Sequence, residues 1–162
     1  MLVLLLSITL WCVVVYSFRV AVFGNPLYVQ LVRTEPDALD RVEQVAMGQV
    51  LEPQPDEILF LRRFSRTVVL ELAVFVLEIA LFTYLWLTRV MPWLSFLLLA
   101  KNLVLIALSA SMAGAQPATE ERLFRRLLAL PPWLIRLDRA SSLASGAGSL
   151  VLFLKVNNLI PW

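Results

Sequence analysis

Three charged side chains stand inside runs otherwise apolar enough to cross a bilayer: Glu71, Glu78 and Lys101. A charge near the bilayer midplane costs about 2.5–3.5 kcal/mol on insertion scales, so such a residue is normally paired or put to use. Glu71 and Glu78 are one heptad apart, which places them on nearly one helix face, about 10 Å apart along the axis. Glu78 lies eleven residues before Arg89, and Lys101 lies nine after Pro92. In an antiparallel hairpin turning at 89–92, their depths differ by about 3 Å. An ion pair is expected there. Asn102 adjoins it, although neighbours on a helix point about 100° apart. Glu71 is nearer the loop side and out of easy reach of Lys101. Its expected partners are Arg66, the arginines of the third loop, or another subunit.

Two chemistries fit this pattern. A row of carboxylates on one helix face is what a proton or cation path uses, with Lys101 tuning it. A buried ion pair also fixes helix register with no transport at all. Transport sites usually add broken helices, Gly or Pro kinks and a polar lining. The run holding Glu71 and Glu78 has no Gly or Pro, and the run holding Lys101 has Pro92 only at its start. That favours the structural pair. A pair completed by another chain is the third option.

Other chemistry is limited by what the chain lacks. It has no histidine, so His-ligated haem, His-ligated metal and His-based acid–base catalysis are excluded. Its one cysteine, Cys12, cannot form an intrachain disulfide. No Gly-rich phosphate loop or metal-ligand spacing is present, and the serines near 141–149 have no base close in sequence. The expectation is a protein that is not an enzyme and uses no cofactor and no metal. A net charge of +2 gives no nucleic-acid reading.

The elements that must position the three charges follow from hydropathy. The chain has 162 residues, 60% of them hydrophobic, with mean hydropathy +0.80. Soluble domains are nearer 45–50% apolar. The predicted fold is all-α and integral to a membrane, a single domain with four transmembrane helices at about 2–23, 67–88, 92–113 and 136–156. The first run has no basic n-region and no small-x-small cleavage site, so it is expected to be a retained anchor. Gly24-Asn25-Pro26 breaks it.

Two short amphipathic helices are expected in the connections. One starts at Thr34 as N-cap and carries Leu39, Val42 and Ala46 on one face; its mixed charge favours packing on protein over lipid. The other starts near Thr119 and carries Leu123, Phe124, Leu127 and Leu128 against Arg122, Arg125 and Arg126. Asp56 is the expected cap of the second span, which runs from Glu57 without a break. Arg62, Arg63 and Arg66, like Arg122, Arg125 and Arg126, are placed among lipid headgroups. Small residues mark helix-packing faces: Ala107, Ser111 and Gly114 in the third span, and Ser141, Ser142, Ser145, Gly146 and Ser149 in the fourth.

Charge asymmetry sets the expected orientation. Arg19, Arg33, Arg41, Arg62, Arg63 and Arg66 fall in the first connection, and Arg122, Arg125, Arg126, Arg136 and Arg139 in the third. Only Arg89 and Lys155 fall on the other side. The positive-inside rule puts loops 24–66 and 114–139 in the cytoplasm and both termini outside, in a bacterial inner membrane. Loops this small are no catalytic domains. The leading functional reading is a small non-catalytic subunit that packs within and stabilises a larger membrane complex. Its partners are the lipid bilayer and other membrane subunits, as a hetero-oligomer rather than a homo-oligomer. The alternative is a proton- or cation-translocating subunit using Glu71, Glu78 and Lys101.

Overall fold

The computed structural model describes residues 1–49, 52–115, 124 and 131–160, and the side chains of 109–115 lie outside that description. Among the described residues every regular element is a helix: α1 Leu2–Phe23, α2 Pro26–Val32, α3 Pro36–Ala46, α4 Pro55–Leu87, α5 Pro92–Ala115 and α6 Pro132–Val156. Two stretches are long and apolar enough to cross a membrane, Leu2–Val32 and Pro55–Leu87. The apolar part of α5, Pro92–Leu108, is shorter. At 25 residues α6 has the length of a span, but serines, glycines and four charges dilute its apolar residues.

Proline and glycine set most of the boundaries. Pro26, Pro36, Pro55, Pro92 and Pro132 each open a helix, where the missing N–H is one the helix would leave unpaired anyway. Gly24 ends α1 at φ 85°, a conformation that needs no Cβ. Its Cα also lies so close to Arg139 that an added Cβ would meet the guanidinium at 3.0 Å.

Helices α1 and α6 run antiparallel in one register. Ser7 Oγ donates to Asn157 Oδ1 at 3.0 Å, the Trp11 and Phe153 rings lie 5.6 Å apart, and Phe18 covers Gly146. Gly146 and Gly148 make the close approach possible. A Cβ on Gly146 would sit 3.3 Å from the Phe18 ring, and one on Gly148 would sit 2.7 Å from Leu98 of α5. Helices α4 and α5 form the expected hairpin, with Arg89 and Met91 in the left-handed region at φ 58° and 46°. The four helices meet in an apolar core of Leu10, Val13, Leu81, Phe82, Leu85, Leu98 and Leu152.

The first connection differs from expectation in three ways. Pro26–Val32 forms a helix of its own, because Asn25 accepts a hydrogen bond from the Leu27 N–H and so caps it. Helix α3 begins one residue later than expected, with Glu35 rather than Thr34 at the N-cap; Thr34 Oγ1 donates back to the Gln30 carbonyl instead. Helix α4 is capped by Gln54 rather than Asp56. Gln54 and Glu57 form a reciprocal capping box in which Glu57 Oε2 accepts from the Gln54 N–H at 2.7 Å.

A helix of 33 residues is about 50 Å long, against about 30 Å of bilayer hydrocarbon, so α4 has length to project beyond it. Its first turns carry α3. Leu31, Leu39, Val42 and Phe124 form a second apolar core there, with Phe60, Leu61 and Phe64 packed on it. Arg41 bonds Glu57 across the same contact at 2.6 Å. Ala46, expected on the apolar face of α3, is exposed. The second amphipathic helix, with Arg122, Arg125 and Arg126, lies outside the described residues except for Phe124.

Candidate functional site: an acidic cavity among four helices

Towards the loop side of the apolar core, the same helices line a polar, partly open cavity of about 90 Å³. Helix α1 contributes Tyr16 and Ser17, α4 contributes Glu71 and Glu78, α5 contributes Lys101 and Asn102, and α6 contributes Asp138, Ser141, Ser142 and Ser145. Asn25 stands at one end. Helical periodicity explains the lining. Glu71 and Glu78 share a face of α4, while Asp138, Ser141, Ser142 and Ser145 share one of α6.

Glu78 holds the inner end and is only 7% exposed. Its Oε2 accepts from Asn102 Nδ2 at 3.0 Å and from Ser145 Oγ at 3.2 Å. Lys101 Nζ lies 3.9 Å from the same oxygen and donates to Ser141 Oγ at 3.0 Å. The expected Glu78–Lys101 pair therefore forms as a loose contact. The ammonium is held by a serine, and the carboxylate by an amide and a second serine. Asn102, 1% exposed, reaches Glu78 despite pointing about 100° from Lys101, because Glu78 sits between the two directions.

The outer end is held differently. Glu71 faces Tyr16 and Arg19 of α1 and Asp138 of α6, neighbours the sequence had not paired with it. Tyr16 and Glu71 lie against each other, with Tyr16 Oη and Glu71 Oε1 both shut off from solvent. Asp138 is bonded to Asn25 and lies within the electrostatic reach of Lys101 and Arg139. The cavity thus brings together three carboxyl groups, one ammonium, a phenol, two side-chain amides and four serine hydroxyls.

The remaining predicted site residues fall into four groups. Gly146 packs on Phe18, and Ser149 is fully buried with an unpartnered hydroxyl. Ala107 is exposed, while Ser111 and Gly114 lie outside the described side chains. Arg62, Arg63 and Arg66 are exposed along the first half of α4. Arg122, Arg125 and Arg126 lie outside the described residues. Asp138 and Tyr16 were missed in the sequence. Asp138 did carry a signal: it is the only acid between Pro131 and Trp162, at the start of a helix otherwise read for its small residues. Tyr16 gave none. No family model, curated protein or solved structure matches the chain.

Proposed function

We propose that this is a four-span inner-membrane protein that moves a proton or small cation through its acidic cavity. The observation that carries this reading is the gathering of Glu71, Glu78 and Asp138 around one cavity with a single lysine. Fully ionised, those four groups would sum to −2. Three acids on one cavity are more than a register-fixing pair needs, and Arg19 beside Glu71 and Arg139 beside Asp138 offset their charge from outside the lining, as a path that exchanges a cation or proton can use. Loops 24–66 and 114–139 face the cytoplasm in this reading, and both termini face outward.

The test is flux in vesicles reconstituted with the purified protein. Collapse of an imposed pH gradient, or uptake of labelled sodium or potassium, is expected above the rate of empty vesicles. Glu78→Gln and Lys101→Met should each return it to that baseline. Flux untouched by both changes would sink the reading.

A second reading is that the chain is a non-catalytic subunit of a larger membrane complex. Rows of apolar side chains left uncovered on α1 and α4, such as Leu4, Leu5 and Ile8 or Val69, Leu72 and Val76, favour it. Either lipid or neighbouring subunits would cover them. The small-residue face of α6 no longer argues for outside partners, since α1, α4 and α5 occupy it within the chain. Co-purification in a gentle detergent separates a subunit from a protein that works alone.

A further inference from the structure

The uncovered side chains of α4 change character along its length. On the part nearer the loops, Arg62, Arg63 and Arg66 are exposed. On the part that follows, Val69, Leu70, Val76 and Leu77 are exposed. We propose that this face holds an anionic phospholipid, its phosphate on Arg62, Arg63 and Arg66 and an acyl chain along Val69, Ala73 and Leu77. The inference rests on the membrane placement above and not on transport.

The first support is rotational. At about 100° per residue, Arg62, Arg66, Val69, Ala73 and Leu77 fall within about 80° of one another, with Arg63 and Leu70 on one flank. The opposite face of α4 is occupied. Phe60 and Phe64 pack on the core that holds Phe124, Glu71 and Glu78 line the cavity, and Phe82 is sealed among apolar side chains. The arginines and the apolar stripe therefore share the side left uncovered among the described residues. Ala73 is exposed and carries nothing beyond its Cβ, so the stripe is lowest between Val69 and Leu77, where a hydrocarbon chain can lie.

The second support is depth. Helix α4 ends at Leu87. Bilayer hydrocarbon of about 30 Å, counted back from there at about 1.5 Å per residue, ends near Thr67. The headgroup layer adds about 5–7 Å on that side. Arg62 comes about 8 Å before Thr67 and Arg66 directly before it, so all three arginines leave the helix at the level of the phosphates. One leaflet holds about 15 Å of hydrocarbon, or about ten residues of helix, and these run from Thr67 to Leu77. The apolar stripe thus has the length of one acyl chain.

The third support is charge. Among the described residues the ion pairs are Arg41 with Glu57 and Lys101 with Glu78, and neither takes one of the three arginines. The nearest acids along α4 do not compete. Glu57 is buried on Arg41, Asp56 comes about 9 Å before Arg62, and Glu71 is on the opposite face. Guanidinium groups hold phosphate oxygens through paired, charge-assisted N–H donors. A headgroup with its own ammonium would add a like charge beside them, and a net-negative headgroup would not. The arginines also count against a second copy of the chain as occupant. A two-fold dimer about this face would bring six guanidinium groups to one level, where like charges repel.

The test is electron spin resonance of the full chain in phosphatidylcholine vesicles carrying trace spin-labelled phosphatidylglycerol or spin-labelled phosphatidylcholine. The protein is expected to restrict the motion of a larger fraction of the phosphatidylglycerol label. Arg62→Gln, Arg63→Gln and Arg66→Gln together should bring the two labels to parity, each arginine being worth up to about fivefold in selectivity. Arg89→Gln, at the hairpin end, should leave the selectivity as it was. Ala73→Trp, which fills the low point of the stripe, should reduce the restricted phosphatidylglycerol while the far-UV circular dichroism stays unchanged. Equal restriction of both labels by the unaltered protein, or selectivity that survives the triple change, overturns the proposal. Selectivity abolished by inorganic phosphate but not by sodium chloride of equal ionic strength would make this a site for free phosphate instead. A co-purifying protein that crosslinks from position 73 would put a subunit on the face in place of lipid. Protein that alkaline carbonate strips from the vesicles fails the membrane placement itself, whereas flux without lipid selectivity leaves the transport reading standing and overturns this one.

Discussion

The same four helices build a wet end and a dry end. Along α4, Glu71 and Glu78 line the cavity, and one turn later Leu81, Phe82 and Leu85 are sealed in apolar core. Along α5 the change falls between Leu98 and Lys101, and along α6 between Ser145 and Leu152. Helix α1 passes from Leu10 and Val13 to Tyr16 and Ser17. Nothing in the helix backbone changes across this boundary; only the side chains do. Each end therefore has its own task. The dry end sets how the helices sit, by close packing. The wet end depends on that placement, because its hydrogen bonds span three different helices and have no local substitute.

The comparison is broken first at the dry end. Phe82 is fully buried, and Phe82→Ala should lower stability by about 2–4 kcal/mol, under the soluble-core range if the proposed membrane placement holds and lipid is the alternative surrounding. Reversible unfolding in mixed detergent micelles, followed by circular dichroism, measures this. A loss under about 1 kcal/mol would mean the core does not position the cavity.

At the wet end, the double-mutant cycle of Glu78→Gln and Lys101→Met should give a coupling of only about 1 kcal/mol, because each group has other partners. Each single change should cost more than that coupling. A coupling above about 3 kcal/mol would mean a tight ion pair and would return the site to a register-fixing role.

Ser149 sharpens the boundary with the smallest effect. Its hydroxyl is buried without a partner on the dry side of Ser145. Ser149→Ala removes an unmet hydrogen bond and should leave stability unchanged or raise it by up to about 1 kcal/mol in the same unfolding assay. Destabilisation beyond that would show that the polar network extends past Glu78 into the core.

Much of the framework was legible in the residues. Hydropathy located the apolar runs, and the prolines marked where helices begin. Depth counting from Arg89 and Pro92 put Glu78 and Lys101 at one level, and they lie in contact at 3.9 Å. The less legible part was Glu71. Its neighbours Tyr16 and Asp138 lie 55 and 67 positions away in the chain, and no spacing rule links them to it. Helix α2 was also missed, since a stretch of 7 residues is too short for periodicity to declare itself.

What the sequence alone determined is therefore local and axial. It says which stretches are helical, where they break and how far along its helix each charge lies, because hydropathy and a rise of about 1.5 Å per residue act along one helix at a time. The tertiary structure decided what is rotational. The turn of each helix about its own axis gave Lys101 to Ser141 and Asn102 to Glu78, and set Glu71 beside Tyr16 and Asp138. That rotation is fixed by packing between helices, in the apolar core of Leu10, Phe82, Leu85, Leu98 and Leu152 and where Gly148 admits Leu98, contacts between positions far apart in the chain that no single-helix pattern encodes.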